Sequence, residues 1–196
     1  MDYSRRAADY DRVRADETTD REFWLRGFID VGGLRDREHI LDVGAGTGRF
    51  AKLLCETNPV VALGDYAAAL REIARVAHRV VVATSDMATR RLGILEEAFP
   101  SLLAIDRDRF PSIPAILDAL KAAGFRGAVV DKRAYARRLT TEEQLDRVRH
   151  RYLSTFDLLP PDEYERGLRF LEAEMPRRYR DGFEITAQFT FVGATK

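Results

Sequence analysis

The chain has 196 residues, 45% of them hydrophobic and 33% charged, with 32 basic residues balancing 32 acidic ones. That length and balance fit one ordinary globular domain with a sizeable core. They exclude a strongly basic nucleic-acid binder and a disulfide-stapled scaffold, because the net charge is zero and Cys55 is the single cysteine.

No apolar run is long enough to span a membrane, and the polar start Met1-Asp2-Tyr3-Ser4-Arg5-Arg6 lacks a signal-peptide core. A cytoplasmic protein with no nucleic-acid or membrane partner is therefore expected. His39, His78 and His150 are scattered without ligand spacing, so no metal site is expected.

Residues 1–20 form a polar N-terminal arm with Tyr3 and Tyr10 as its main apolar groups. Residues 20–31 read as a helix with Phe23, Trp24, Phe28 and Ile29 on one face, capped by Asp20 and stopped by Gly32-Gly33. His39 to Val43 reads as a strand. Gly44-Ala45-Gly46-Thr47-Gly48 follows as a turn, then a helical pattern runs to about Glu56. Cys55 falls on the apolar side of that helix, as a buried small hydrophobe. Glycine has no Cβ, so such a turn lets a ligand approach the backbone closely. The exposed N–H groups and the positive helix end favour a negative group there.

The dinucleotide fingerprint G-x-G-x-x-G, begun at Gly44, would need its third glycine where Arg49 stands. That opposes a nicotinamide-dependent oxidoreductase. The pattern here is D-x-G-x-G-x-G, from Asp42 to Gly48. It resembles motif I of the class I S-adenosylmethionine-dependent methyltransferases, of the type 11 kind. The resemblance implies an α/β fold, a Rossmann-like three-layer sandwich, with S-adenosyl-L-methionine as cofactor and S-adenosyl-L-homocysteine as product. It also implies that Gly44, Ala45, Gly46 and Gly48 line the methionine end of the cofactor and that Asp42 orients its ammonium group. Residues 8–14, Ala-Asp-Tyr-Asp-Arg-Val-Arg, resemble the A-x-x-Y-D-x-x-R lead-in of many such enzymes. By that resemblance Tyr10 and Arg14 help to close the site; a frayed arm is the alternative.

Val60 to Leu63 reads as the second strand. Asp65 lies 21 residues after Gly44, near the spacing of an acidic residue on the ribose hydroxyls. It can equally cap the helical pattern Ala67 to Val76. That pattern and the strand Arg79 to Ser85 resemble the helix before strand five of the family and strand five itself. A βαβ unit takes about 30 residues, so strands three and four have no room and the chain reads as shortened. Alternatively, Gly64-Asp65 ends strand three. The expectation is a reduced, mostly parallel sheet in which the strand at 79–85 abuts the one at 39–43. Exchange between chains in a homodimer is the other way to cover the open edge.

Residues 112–123 read as an amphipathic helix ended by Gly124, and Arg126 to Asp131 as a strand. Thr140-Thr141-Glu142-Glu143-Gln144 reads as a capping box opening a helix that buries Leu145, Val148, Tyr152 and Leu153. A second helix starts at Asp162, with Tyr164, Leu168, Leu171 and Met175 inward. Residues 138–180 resemble the helical lid that some of these enzymes insert within the single domain 1–196. The run Arg177-Arg178-Tyr179-Arg180 reads as a solvated turn. Glu184 to Gly193 alternates as a final antiparallel strand.

The function implied is methyl transfer to a small-molecule acceptor. Positioning dominates such chemistry, so no protein nucleophile is required and the catalytic residues are not defined. Tyr10, Tyr135 and His150 are candidates for a general base, and Tyr152, Ser154 and Thr155 for facing the acceptor. The competing reading is a non-catalytic remnant that binds the cofactor weakly or not at all.

Overall fold

The computed structural model describes residues 21–43, 49–55, 58, 60–63, 73 and 75–196. Helices and strands mix in an α/β arrangement, as the glycine motif implies. Helix α1 (Arg21–Gly32) buries Trp24, Gly27 and Phe28. Ile29, expected on the same face, is 47% exposed. Trp24, Phe28 and Val31 follow i, i+4, i+7, and Ile29 lies one step off that stripe.

Strand β1 (Ile40–Val43) pairs in parallel with β2 (Val60–Leu63), in register from Ile40↔Val60 to Val43↔Leu63. Helix α2 (Arg49–Leu54) lies between them in sequence. Strand β3 (Arg79–Thr84) pairs antiparallel with β5 (Phe183–Thr195), from Arg79↔Thr195 to Thr84↔Thr190. Strand β4 (Arg126–Leu139) flanks β5 on its other side, giving the order β3-β5-β4.

The expectation that the strand at 79–85 abuts the one at 39–43 is not met. Among the described residues β1–β2 and β3–β5–β4 are separate ladders. Arg79, the first residue of β3, does form an ion pair with Glu38, two residues before β1. The lead-ins of the two strands therefore meet, but backbone pairing does not follow. The six-residue ladder with β5 is where the hydrogen bonds of β3 go.

The chain divides into two compact units. The first comprises residues 1–84, 114–133 and 190–196, and the second residues 85–113 and 134–189. The core of the first contains Trp24, Phe28, Leu54, Leu120, Phe125 and Phe191. Its helix α5 (Ile113–Ala122) ends before Gly124, whose φ of 88° suits glycine. Val31 O lies 2.1 Å from where a Cβ on Gly193 would stand, and the Phe191 ring 2.3 Å from one on Gly27. These two glycines let α1 lie against β5.

In the second unit α3 (Ile94–Ala98) and α4 (Leu102–Arg109) occupy a stretch to which the sequence assigned no element. Helix α6 (Thr141–Arg149) opens with the expected capping box: the Thr140 hydroxyl accepts from the Glu143 N–H at 3.2 Å, and Glu143 Oε2 accepts from the Thr140 N–H at 2.6 Å. Tyr152 and Leu153 are buried as expected, but beyond the end of that helix. Helix α7 (Pro161–Arg178) buries Tyr164, Gly167, Leu171 and Met175. A Cβ on Gly167 would stand 2.3 Å from the Phe99 ring, which is how closely α7 approaches the end of α3. Arg177 and Arg178 belong to the last turn of α7, not to a free turn, and Arg178 reaches Glu97 at 2.9 Å.

Strand β4 continues eight residues past its expected end at Asp131. The run Lys132 to Arg138 is charged, yet Arg133, Tyr135 and Arg137 are half-buried while Lys132, Ala134, Ala136 and Arg138 are exposed. That is the period-two pattern of a strand with one covered face. The 13-residue β5 supplies the partner that overrides local composition. No described helix is long and apolar enough to cross a membrane.

Gly193→Ala is expected to lower stability by about 1–3 kcal/mol, and by more than Gly27→Ala. The first collides with backbone, the second with a ring that can shift. Chemical denaturation of both variants checks the order. A second expectation concerns acid. The Thr140 backbone N–H, and after it the Thr140 hydroxyl, hold the Glu143 carboxyl below its ordinary value of 4.5. A depressed folded pKa gives stability that is complete above about pH 4.5 and lost as pH falls through the lower folded value. Glutamine keeps the cap without titrating. Melting curves below pH 4.5 should therefore fall less steeply for Glu143→Gln than for the native chain.

Candidate functional site

Asp42 is the third residue of β1 and is half-buried. Its register partner is Ala62, and Val43 lies opposite Leu63. The two strands thus end side by side. In sequence, the glycine run follows Val43 and Gly64-Asp65 follows Leu63. In open α/β sheets ligands bind outside the carboxyl ends of the strands. Of the sequence candidates for the cofactor, Asp42 is the one among the described residues. Gly44, Ala45, Gly46, Gly48, Asp65, Tyr10 and Arg14 themselves lie outside the described residues.

The opposite ends of these strands are fixed by Asn58, which is 5% exposed. Its side-chain amide donates to Arg35 O at 2.7 Å and to Glu38 O at 3.2 Å. One side chain before β2 therefore holds the loop that leads into β1. Glu38 Oε2 accepts from the Arg35 N–H at 3.1 Å. That bond first, and the Arg79 guanidinium second, keep the Glu38 carboxyl below its usual range.

Helix α2, which resumes the chain at Arg49, is seated by Phe50. The Phe50 ring lies 4.8 Å from Trp24 and 5.6 Å from Phe28, centroid to centroid. Both α1 rings also meet Phe191 at 5.7 Å. Cys55 does not join this packing: it follows the end of α2 and is exposed, because the helix stops one residue short of it.

The remaining candidates belong to the second unit. Tyr135 stacks on Phe189 at 6.3 Å with rings 11° from parallel. His150 closes α6, its Nδ1 2.8 Å from Asp146 O. Tyr152 is buried, with the Arg147 guanidinium 4.3 Å from its ring centre. Thr155 is buried on Asp106, while Ser154 keeps partial exposure beside Arg109. Sequence reasoning missed Asp106 and its arginines. The signal was available: Leu102 and Asp106 stand i, i+4, so a carboxylate shares the buried face of α4. Among the described residues no group of three or more His, Cys, Asp or Glu side chains could hold a metal ion.

No family model matches the chain, and no curated protein matches it. Solved structures do. A proposed methyltransferase of an antibiotic biosynthesis pathway from Anabaena variabilis is 18% identical, with a TM-score of 0.62 over 88% of this chain and 96% of the other. A proposed methyltransferase from Bacillus halodurans is 12% identical, with a TM-score of 0.49 over 88% and 98%. A phosphoethanolamine N-methyltransferase from Haemonchus contortus is 11% identical, with a TM-score of 0.36 over 88% and 52%. The first likeness shows the fold alone: this chain is folded like that Anabaena variabilis protein.

Asn58→Ala is expected to lower stability by about 2 kcal/mol, because it strands two carbonyls that Asn58 now satisfies. Asn58→Asp should cost at least as much at neutral pH, since a carboxylate offers them no donor. Urea unfolding of both variants checks this; a native midpoint in either would show the loop to be held by something else.

Proposed function

We infer that the chain is a methyltransferase that moves a methyl group from S-adenosyl-L-methionine to a small-molecule acceptor. The observation that carries this is the shared fold, together with Asp42 on β1 where the strand hands over to the glycine run. Fold alone does not define function. The acidic residue and the three alternate glycines add the site-level support. A half-buried carboxylate beside adjoining strand ends is a suitable acceptor for an ammonium group.

When bound, the cofactor supplies a methyl group already activated by its sulfonium. The part left to this chain is to bind, orient and exclude water. In this reading Asp42 accepts hydrogen bonds from the ammonium group. Gly44, Ala45, Gly46 and Gly48 allow close approach to the methionine end. Asp65 takes the ribose hydroxyls, and Tyr10 and Arg14 close over the site. No residue is assigned as a general base.

A second reading, a non-catalytic remnant that binds the cofactor weakly or not at all, is favoured by one observation. The sheet is split, among the described residues, into β1–β2 and β3–β5–β4. That is where the sequence leaves no room for two strands of the full fold.

Calorimetric titration of the full chain with S-adenosyl-L-methionine and S-adenosyl-L-homocysteine tests the first reading. Saturable binding of both is expected, and its loss in Gly46→Val, whose branched side chain blocks the approach. No binding by a folded sample would overturn the enzyme reading. Unchanged affinity in Gly46→Val would overturn the placement of the site.

A further inference from the structure

In the second unit a single buried carboxylate faces two arginines. Asp106, on α4, is 1% exposed. Its Oδ2 accepts from Arg90 Nη1 at 2.8 Å. Its Oδ1 accepts from the Thr155 hydroxyl and lies 4.0 Å from Arg109 Nη1. The Arg109 fork donates to Thr155 Oγ1 at 2.9 Å and to Ser154 Oγ at 3.3 Å. The Arg90 and Arg109 side chains are only 19% and 29% exposed.

We propose that Arg90, Arg109 and the Ser154 hydroxyl form a binding seat for the oxyanion of a small molecule, a phosphate or a carboxylate group. Charge is the first argument. Two permanent cations share one carboxylate, which leaves an excess of one positive charge in a partly desolvated site. Such a charge is costly without a counter-charge. Among the described residues no second carboxylate is ion-paired with Arg90 or Arg109. Asp157 pairs with Arg151 at 3.5 Å. Asp108 is exposed and stands two residues from Asp106, on another side of the helix.

Hydrogen-bond capacity is the second argument. Each oxygen of Asp106 already accepts one hydrogen bond, Oδ2 from Arg90 and Oδ1 from Thr155. Arg90 gives Asp106 one N–H of its five. The Ser154 hydroxyl accepts from Arg109, so its own proton points elsewhere and can be donated. Guanidinium N–H groups and a hydroxyl are donors well matched to an oxyanion. Asp106 and Thr155, buried beneath, hold Arg109 and the turn carrying Arg90 in place. The seat involves residues of the second unit only, so it stands or falls independently of methyl transfer.

The test uses the full chain in an uncharged buffer at fixed ionic strength, titrated by calorimetry with inorganic phosphate and, separately, with acetate. Saturable one-site binding of at least one is expected. Arg109→Gln and Ser154→Ala should each weaken it about tenfold or more, equivalent to about 1.4 kcal/mol. Ser154→Ala removes one hydroxyl at a partly exposed position and leaves the Asp106 pairs intact, so it reads the seat even if Arg109→Gln unfolds the unit. Tighter phosphate than acetate assigns a phosphate-bearing ligand, and the reverse a carboxylate. No saturable binding of either anion, or binding that Ser154→Ala leaves unchanged, would overturn the proposal.

Discussion

The first unit depends on how closely the last turn of α1 approaches β5. Val31 O occupies the space that a side chain on Gly193 would need. Nothing larger than hydrogen fits, so helix and strand meet at backbone distance. That contact brings Phe191, two residues earlier, under Trp24 and Phe28. Those rings in turn receive Phe50. Phe50 is the second residue of the helix that follows the glycine run. Helix α2 is thus seated from the far end of the chain. Aromatic pairs at such distances add about 0.5–1.5 kcal/mol each beyond area burial.

The second unit uses polar groups for the same purpose. Glu163 is 8% exposed and accepts the Ser101 N–H at 2.9 Å, satisfying an amide at the start of α4. The Tyr164 hydroxyl donates to Val148 O at 2.9 Å, linking α7 to α6. Arg151 lies 3.7 Å from the Tyr164 ring centre and donates to Phe156 O at 2.7 Å. Each net bond contributes only about 1 kcal/mol, but each buried group left without its partner costs about 1–3 kcal/mol. Such groups discriminate against alternative packings of the same apolar residues. The exposed Arg178–Glu97 pair is of another kind, since solvent screens it and its contribution is small.

Local signals in the sequence survived folding; signals that depend on partners did not. The box Thr140…Glu143 is self-contained, and α6 starts there. Gly124 ends α5, and the alternation from Glu184 became β5 because both its faces have defined surroundings. The length of β4 was not legible, because Lys132 to Arg138 gives no apolar pattern and the pairing comes from β5. Helices α3 and α4 are short and charged, and what they bury, Leu95, Phe99, Leu102 and Asp106, makes sense only against α7 and Thr155. Of the candidate site, β1 with Asp42 near its end was legible from the apolar run, while the glycines lie outside the described residues. The tie through Asn58 was not, since a polar residue before Pro59 looks like an ordinary turn.

The split of the sheet bears on what such a chain can retain. The lead-ins of β1 and β3 are joined by Glu38 and Arg79, both about one-third exposed. A pair so exposed adds little, so it cannot substitute for a backbone ladder. Each part must therefore be held by its own contacts. For β1 and β2 these are the parallel register, Asn58 and the aromatic seat of α2. For β3 they are the six-residue pairing with β5 and the approach of Gly32 to Val81, 3.1 Å from where its Cβ would stand. The α1 rings join the two sets, since Trp24 and Phe28 meet both Phe50 of α2 and Phe191 of β5.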